Sequence, residues 1–182
     1  GDQWKNFVPR IITPSGGLCT GTFRSPEWVR TAGHCIESRA TIYAGALTVG
    51  GLSSLGGASG IAHPYFDIAA LRYDFGLYHL DTASSLGNNV VPLATYTDPW
   101  AWQAGTATTV LGWGRTVSGG PVSSQLMQGS ATVADDATCT TLDQAIGQVF
   151  DPTTAMCIYT PGVSACNGDS GGPLIGGTGA AA

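Results

Sequence analysis

Short apolar runs recur along the chain, and each is cut off within a few positions by glycine, proline, serine or asparagine. Runs at 10–13, 28–31, 41–43, 75–80, 106–111, 125–133 and 155–159 are rich in Val, Ile, Thr and aromatic residues, which predicts short strands. One stretch, 135–147, has the spacing of a helix, with Asp135 and Asp136 placed to cap its start. The segment 95–105, Thr-Tyr-Thr-Asp-Pro-Trp-Ala-Trp-Gln-Ala-Gly, breaks the strand rhythm and is expected to link two halves. Residues 45–60, rich in Gly and Ser, are expected to form a loose hairpin loop. No fixed repeat is present. Many short strands with turn residues between them predict an all-β barrel or sandwich.

Composition agrees with that pattern and removes several functions. The 182 residues include 27 glycines and 10 prolines, which favour turns over long helices. Hydrophobic residues make up 43%, enough for a core, while charged residues are only 10%. The net charge of −5, with seven scattered Lys and Arg, leaves no basic patch for phosphates and argues against a nucleic-acid partner. No apolar run approaches the ~18 residues a membrane helix needs. The start, Gly1-Asp2-Gln3-Trp4, has neither an initiator Met nor a signal-peptide pattern, so a processed product or fragment is expected.

Cysteines stand at 19, 35, 139, 157 and 166, without a Cys-x-x-Cys or a His-Glu-x-x-His. Dispersed, loop-flanked cysteines point to disulfides and an oxidising, extracellular setting. Five is odd, so one lacks a partner.

The segment Cys166-Asn167-Gly168-Asp169-Ser170-Gly171-Gly172-Pro173-Leu174 carries the chemistry. Glycines on both sides of a serine free the backbone, expose the hydroxyl and let two neighbouring N–H groups face one oxyanion. A serine nucleophile needs a base and an orienting acid. Of three histidines, His63 precedes a proline in a turn and His79 lies in a strand run; His34, beside Cys35 and flanked by small residues, is the candidate base. Asp74 opens an apolar run that would bury its carboxylate unless a partner took its charge. Asp67 is its competitor.

Thr31-Ala32-Gly33-His34-Cys35, Asp74-Phe75-Gly76-Leu77 and Gly168-Asp169-Ser170-Gly171-Gly172-Pro173 follow in the order His, Asp, Ser. In motifs and order the chain closely resembles the chymotrypsin/trypsin-like serine peptidases, over about residues 10–176. Gly112-Trp113-Gly114 and the stretch 125–139 look like the start of that family's second barrel. His63-Pro64 eleven residues upstream, and the strand ending before Thr82-Ala83, favour Asp74 over Asp67.

The resemblance implies a fold of two six-stranded antiparallel Greek-key β-barrels with the active site between them, the second incomplete here. It implies one peptidase domain over 1–182, truncated at both ends: 10–95 the first barrel with His34 and Asp74, 96–105 the linker, 106–182 the incomplete second barrel with Ser170. Ser170 would be the nucleophile, His34 the base, Asp74 the orienting carboxylate, and the N–H groups of Gly168 and Ser170 the oxyanion hole. Cys19–Cys35 and Cys139–Cys157 would be disulfides, with Cys166 left unpaired by truncation. Asp169 would accept the ammonium freed on zymogen cleavage. Arg10-Ile11-Ile12 looks like such a cut site, yet it lies close to Cys19 and is expected to be the first barrel strand instead. Ser164, six residues before Ser170, would form the base of the primary pocket; being neutral, it implies a chymotrypsin- or elastase-like taste for apolar residues. A secreted monomeric endopeptidase follows, acting on polypeptides, open to protein inhibitors, and without cofactor, metal, nucleic-acid or membrane partner. The chain itself, lacking parts of the family's second barrel, is expected to be weakly stable or inactive.

Two other readings compete with this one. Gly168-Asp169-Ser170-Gly171-Gly172 also satisfies Gly-x-Ser-x-Gly, the nucleophile elbow of α/β-hydrolases, but no histidine follows Ser170 and βαβ alternation is missing. The other is a catalytically inactive, peptidase-shaped binding protein, which the presence of all three residues disfavours.

Overall fold

The computed structural model describes residues 2–70 and 72–177. Eleven strands and one α-helix are formed among them. The strands are β1 (Arg10–Ile12), β2 (Leu18–Thr20), β3 (Thr22–Ser25), β4 (Trp28–Thr31), β5 (Arg39–Ala44), β6 (Ser53–Ala62), β7 (Gly76–Leu80), β8 (Ala107–Gly112), β9 (Met127–Val133), β10 (Ile158–Tyr159) and β11 (Leu174–Gly176). Helix α1 spans Asp136–Ala145. The chain forms two compact units, Gly1–Val91 with Leu111–Gln128 and Ala165–Pro173, and Pro92–Val110 with Gly129–Ser164 and Leu174–Ala182.

The first unit is built on one antiparallel sheet in the order β2-β1-β5-β6-β7-β4-β3. Its two end strands, β2 and β3, are consecutive in the chain with Gly21 alone between them. The sheet therefore curls back on itself into a nearly closed barrel. Period-two alternation directs one face inward: Ala40, Ile42 and Ala44 of β5, Val29 of β4, and Tyr78 and Leu80 of β7 join Ile11 and Phe23 in a single core. Gly21 makes the corner possible. A Cβ there would lie 2.6 Å from Val29 Cγ1 and 3.0 Å from Ile11 Cδ1.

The expected loose loop at 45–60 is corrected by the structure. Residues 53–62 form β6, the longest strand, paired along both edges with β5 and β7. Two of the glycines that suggested a loop answer to crowding. A Cβ on Gly60 would lie 2.2 Å from the Glu37 carbonyl and 2.8 Å from the Tyr78 ring, and one on Gly57 would lie 2.3 Å from the Arg39 guanidinium. Only glycine lets those neighbours close over the strand. Arg10–Ile12 is a strand, as expected, held between β2 and β5.

In the second unit, β10-β9-β8-β11 form a four-stranded antiparallel sheet, fewer strands than a complete six-stranded barrel has. Helix α1 begins where its sequence dictates: the Asp135 side chain accepts a 2.7 Å hydrogen bond from Thr138 N–H, and Asp136 opens the first turn. A Cys139–Cys157 disulfide ties α1 to the approach to β10.

Gly21→Ala should overpack the barrel corner and lower stability by about 1–3 kcal/mol. Denaturant unfolding of the variant checks this, and a midpoint equal to that of the unchanged protein would contradict it.

Candidate active site

Strand β4 delivers the chain to a single 3-10 turn, Gly33–Cys35, which carries His34. Asp74, at the entrance of β7, reaches this turn twice. Its Oδ1 accepts from the His34 backbone N–H at 2.8 Å, and its Oδ2 lies 2.7 Å from His34 Nδ1. A carboxylate only accepts, so Nδ1 carries the proton of the neutral imidazole and Nε2 is left as an acceptor. Gly33 permits this approach, since a Cβ there would lie 3.1 Å from Asp74 Oδ1 and 2.9 Å from the Phe66 ring. The pair stays partly open to solvent, with side-chain exposures of 37% for His34 and 24% for Asp74.

Two fastenings hold the turn from behind. Cys35 forms a disulfide with Cys19 of β2. The fully buried Tyr78 of β7 donates its hydroxyl hydrogen to the Cys35 carbonyl at 2.9 Å and accepts from Glu37 N–H at 2.9 Å. Burial pushes the Tyr78 phenol above the ordinary tyrosine range.

The serine loop is fixed by the barrel's own edge. Thr20 N–H donates to the Ser170 carbonyl at 3.0 Å. The Thr20 hydroxyl donates to the Gly168 carbonyl at 2.8 Å and accepts from Trp113 N–H at 3.0 Å. Asp169 anchors the other side, its Oδ1 accepting from Gly114 N–H and its Oδ2 from Cys166 N–H, both at 2.8 Å. This accounts for Gly112-Trp113-Gly114: a Cβ on Gly112 or Gly114 would fall 2.0 Å or 2.6 Å from Asp169 Oδ1. Gly168 itself stands at φ +102°, in the left-handed region that favours glycine, with Gly114 and Leu18 close against it. Among the described residues no protein acceptor takes the N–H of Gly168 or of Ser170. His34, Gly168 and Ser170 line one cleft of about 440 Å³, walled also by Cys19, Cys35 and Glu37.

His63, His79 and Asp67 are engaged elsewhere in the first unit. His63 caps its turn, accepting from Tyr65 N–H at 3.2 Å and stacking on Tyr73 at 5.1 Å. His79 sits in β7 against Trp28 at 4.5 Å. Asp67 accepts from Ala69 and Ala70 N–H at 2.9 and 3.2 Å, so its carboxylate closes a local turn. Ser164 is an exposed residue of the second unit, following the bridge between Thr160 and Val163. Cys166 is the free cysteine among the described residues. Thr20 and Tyr78 were not expected from the sequence. Their signal was faint: a threonine next to a disulfide cysteine, and a tyrosine at an inward strand position.

A curled antiparallel sheet that sets a carboxylate-clamped histidine and a serine of a Gly-rich loop on one cleft has the equipment of serine hydrolases. The sequence matches the family model described as Trypsin over residues 5–182. It is 31% identical to a trypsin of Saccharopolyspora erythraea over 180 residues, covering 93% of this chain and 75% of that one. It is 32% identical to human granzyme M over 167 residues, 89% of this chain and 65% of the relative, and 30% identical to a Xenopus laevis trypsin over 180 residues, 94% and 71% respectively. The chain belongs to the trypsin family, whose members are serine endopeptidases acting on polypeptides.

Tyr78→Phe should leave the buried Cys35 carbonyl and the half-buried Glu37 N–H without their partner and lower stability by about 1–3 kcal/mol at neutral pH. Because folding raises the Tyr78 pKa, its contribution is whole below the ordinary tyrosine range and is lost as pH rises through the folded value. Urea melts from neutral to strongly alkaline pH should show the stability gap between the unchanged protein and Tyr78→Phe narrowing as pH rises; a constant gap would contradict the assignment.

Proposed function

We propose that this protein is a secreted serine endopeptidase that cleaves peptide bonds through an acyl-enzyme on Ser170. The observation that carries the proposal is the 2.7 Å contact between His34 Nδ1 and Asp74 Oδ2, with His34 lining the cleft that also holds Ser170. With Nδ1–H held by the carboxylate, Nε2 takes the Ser170 proton as the hydroxyl attacks the scissile carbonyl. Negative charge develops on the carbonyl oxygen and is stabilised by the N–H groups of Gly168 and Ser170. The imidazolium, steadied by Asp74, then protonates the departing amine, and water repeats the sequence in reverse on the acyl-enzyme. Secretion is supported by the two disulfides, which persist in oxidising surroundings.

For the residue on the acyl side of the scissile bond, we infer an apolar preference of the chymotrypsin or elastase kind. Its support is Ser164, six residues before Ser170, which carries no charge to pair with Lys or Arg.

A fluorophosphonate should label Ser170 and leave Ser170→Ala unlabelled. Absence of label on the folded protein would overturn the proposal and favour a binding protein of peptidase shape. Asp74→Asn should lower kcat by roughly 10⁴-fold, the loss the same change brings in a trypsin-family triad; a fall of less than tenfold would exclude Asp74 from the role. Among matched peptides, Phe, Leu or Ala before the scissile bond should be cleaved faster than Arg, and the reverse order would refute the apolar preference.

A further inference from the structure

The cleft that holds His34 and Ser170 contains a carboxylate that the proposed catalytic cycle leaves unused. Glu37 lies two residues beyond the Cys35 disulfide and lines the same space. It is fixed at both ends. Its backbone N–H donates to the buried Tyr78 hydroxyl at 2.9 Å, and its Oε1 accepts a hydrogen bond from the Ser15 hydroxyl across the cleft wall. The Ser15 hydroxyl also meets the Thr13 hydroxyl at 3.1 Å, and Thr13 accepts from Gly17 N–H at 3.0 Å. The carboxylate is thus held in one place by a short hydroxyl relay on the opposite loop.

Its charge has no counterpart. Among the described residues no Lys, Arg or His lies within ion-pair distance of Glu37. Arg115 lines the same cleft, but its guanidinium donates to the Gly120 carbonyl. The Ser15 hydrogen bond lowers the Glu37 pKa, so the group is ionised wherever a peptidase of this kind works.

The direction of the reaction says which part of a substrate meets this charge. The imidazole protonates the departing amine, and the turn bearing His34 continues directly into Glu37. On that reading the segment that leaves with the amine departs on the histidine side of the cleft, which His34, Cys35 and Glu37 line. We propose that Glu37, positioned by Ser15, selects substrates with a lysine or arginine in the first two residues after the scissile bond. This selectivity rests on the peptidase reading above and adds to it a cationic preference on the leaving side, independent of the neutral Ser164.

An exposed ion pair contributes little, so the preference is one of degree, about 2–5-fold in kcat/KM. The test uses internally quenched peptides with one common acyl half and Lys, Ala or Glu at the two positions after the scissile bond. The purified protein should cleave the Lys peptides about 2–5-fold faster than the Ala ones and the Glu peptides more slowly still, and 1 M NaCl should flatten the series. Glu37→Gln should remove the Lys over Ala ratio, and Ser15→Ala, which frees the carboxylate without deleting it, should reduce that ratio. Equal cleavage of all three peptides by the unchanged protein overturns the inference, as does a ratio that survives in Glu37→Gln. Failure to cleave any of them, together with no fluorophosphonate label on Ser170, overturns the peptidase reading and this selectivity with it.

Discussion

Asp74 accepts two hydrogen bonds from one residue, the backbone N–H and the ring Nδ1–H of His34, and the arrangement of the site depends on that clamp. A single bond to the ring would leave the imidazole free to rotate about its side-chain torsions. The second bond, to the backbone, fixes the turn from which the ring springs. The clamp also sets chemical identity, because it decides which nitrogen bears the proton and which is left to accept one. It exists only because Gly33 has no side chain to hold Phe66 and Asp74 away.

The barrel supplies the rigidity that such a clamp requires. Tyr78 and Asp74 stand four residues apart at the start of β7, so one strand both orients His34 and supports the turn behind it. On the other side of the cleft, the buried Thr20 ties the serine loop to β2, whose Cys19 is bonded to Cys35. The histidine turn and the serine loop are therefore fastened to the same strand. Asp169 does for the serine loop what Asp74 does for the histidine turn, meeting two backbone N–H groups with its two oxygens. Glycines at 33, 112 and 114 are the common price of admitting these carboxylates so near the main chain.

Much of this was legible in the sequence, for identifiable reasons. Strands β1, β4 and β7 were expected close to their observed bounds because their inward positions alternate with outward ones. The cap at Asp135 was legible because capping is a local property. Strand β6 was not, since its glycines answer to Arg39, Tyr78 and the Glu37 carbonyl, neighbours that only the folded sheet brings near. Strands β2, β3 and β11, no shorter than β1, were not, since Gly21 splits β2 from β3 and β11 adjoins the Gly-rich serine loop. The same contrast holds at the site. His34, Asp74 and Ser170 stand in motifs that announce themselves, and the structure brings the first two into contact and sets His34 and Ser170 on one cleft. Thr20, Tyr78 and the Ser15–Glu37 pair act through contacts spanning 22 to 148 positions, which local patterns do not record.

Asp74 holds His34 as the Nδ1–H tautomer and leaves Nε2 as the acceptor. The nitrogen NMR spectrum of ¹⁵N-histidine-labelled protein at alkaline to neutral pH tests it directly. His34 Nδ1 should be protonated and Nε2 should not, and Asp74→Asn should disturb this state. A His34 ring protonated at Nε2, or one exchanging evenly between tautomers in the unchanged protein, would contradict it.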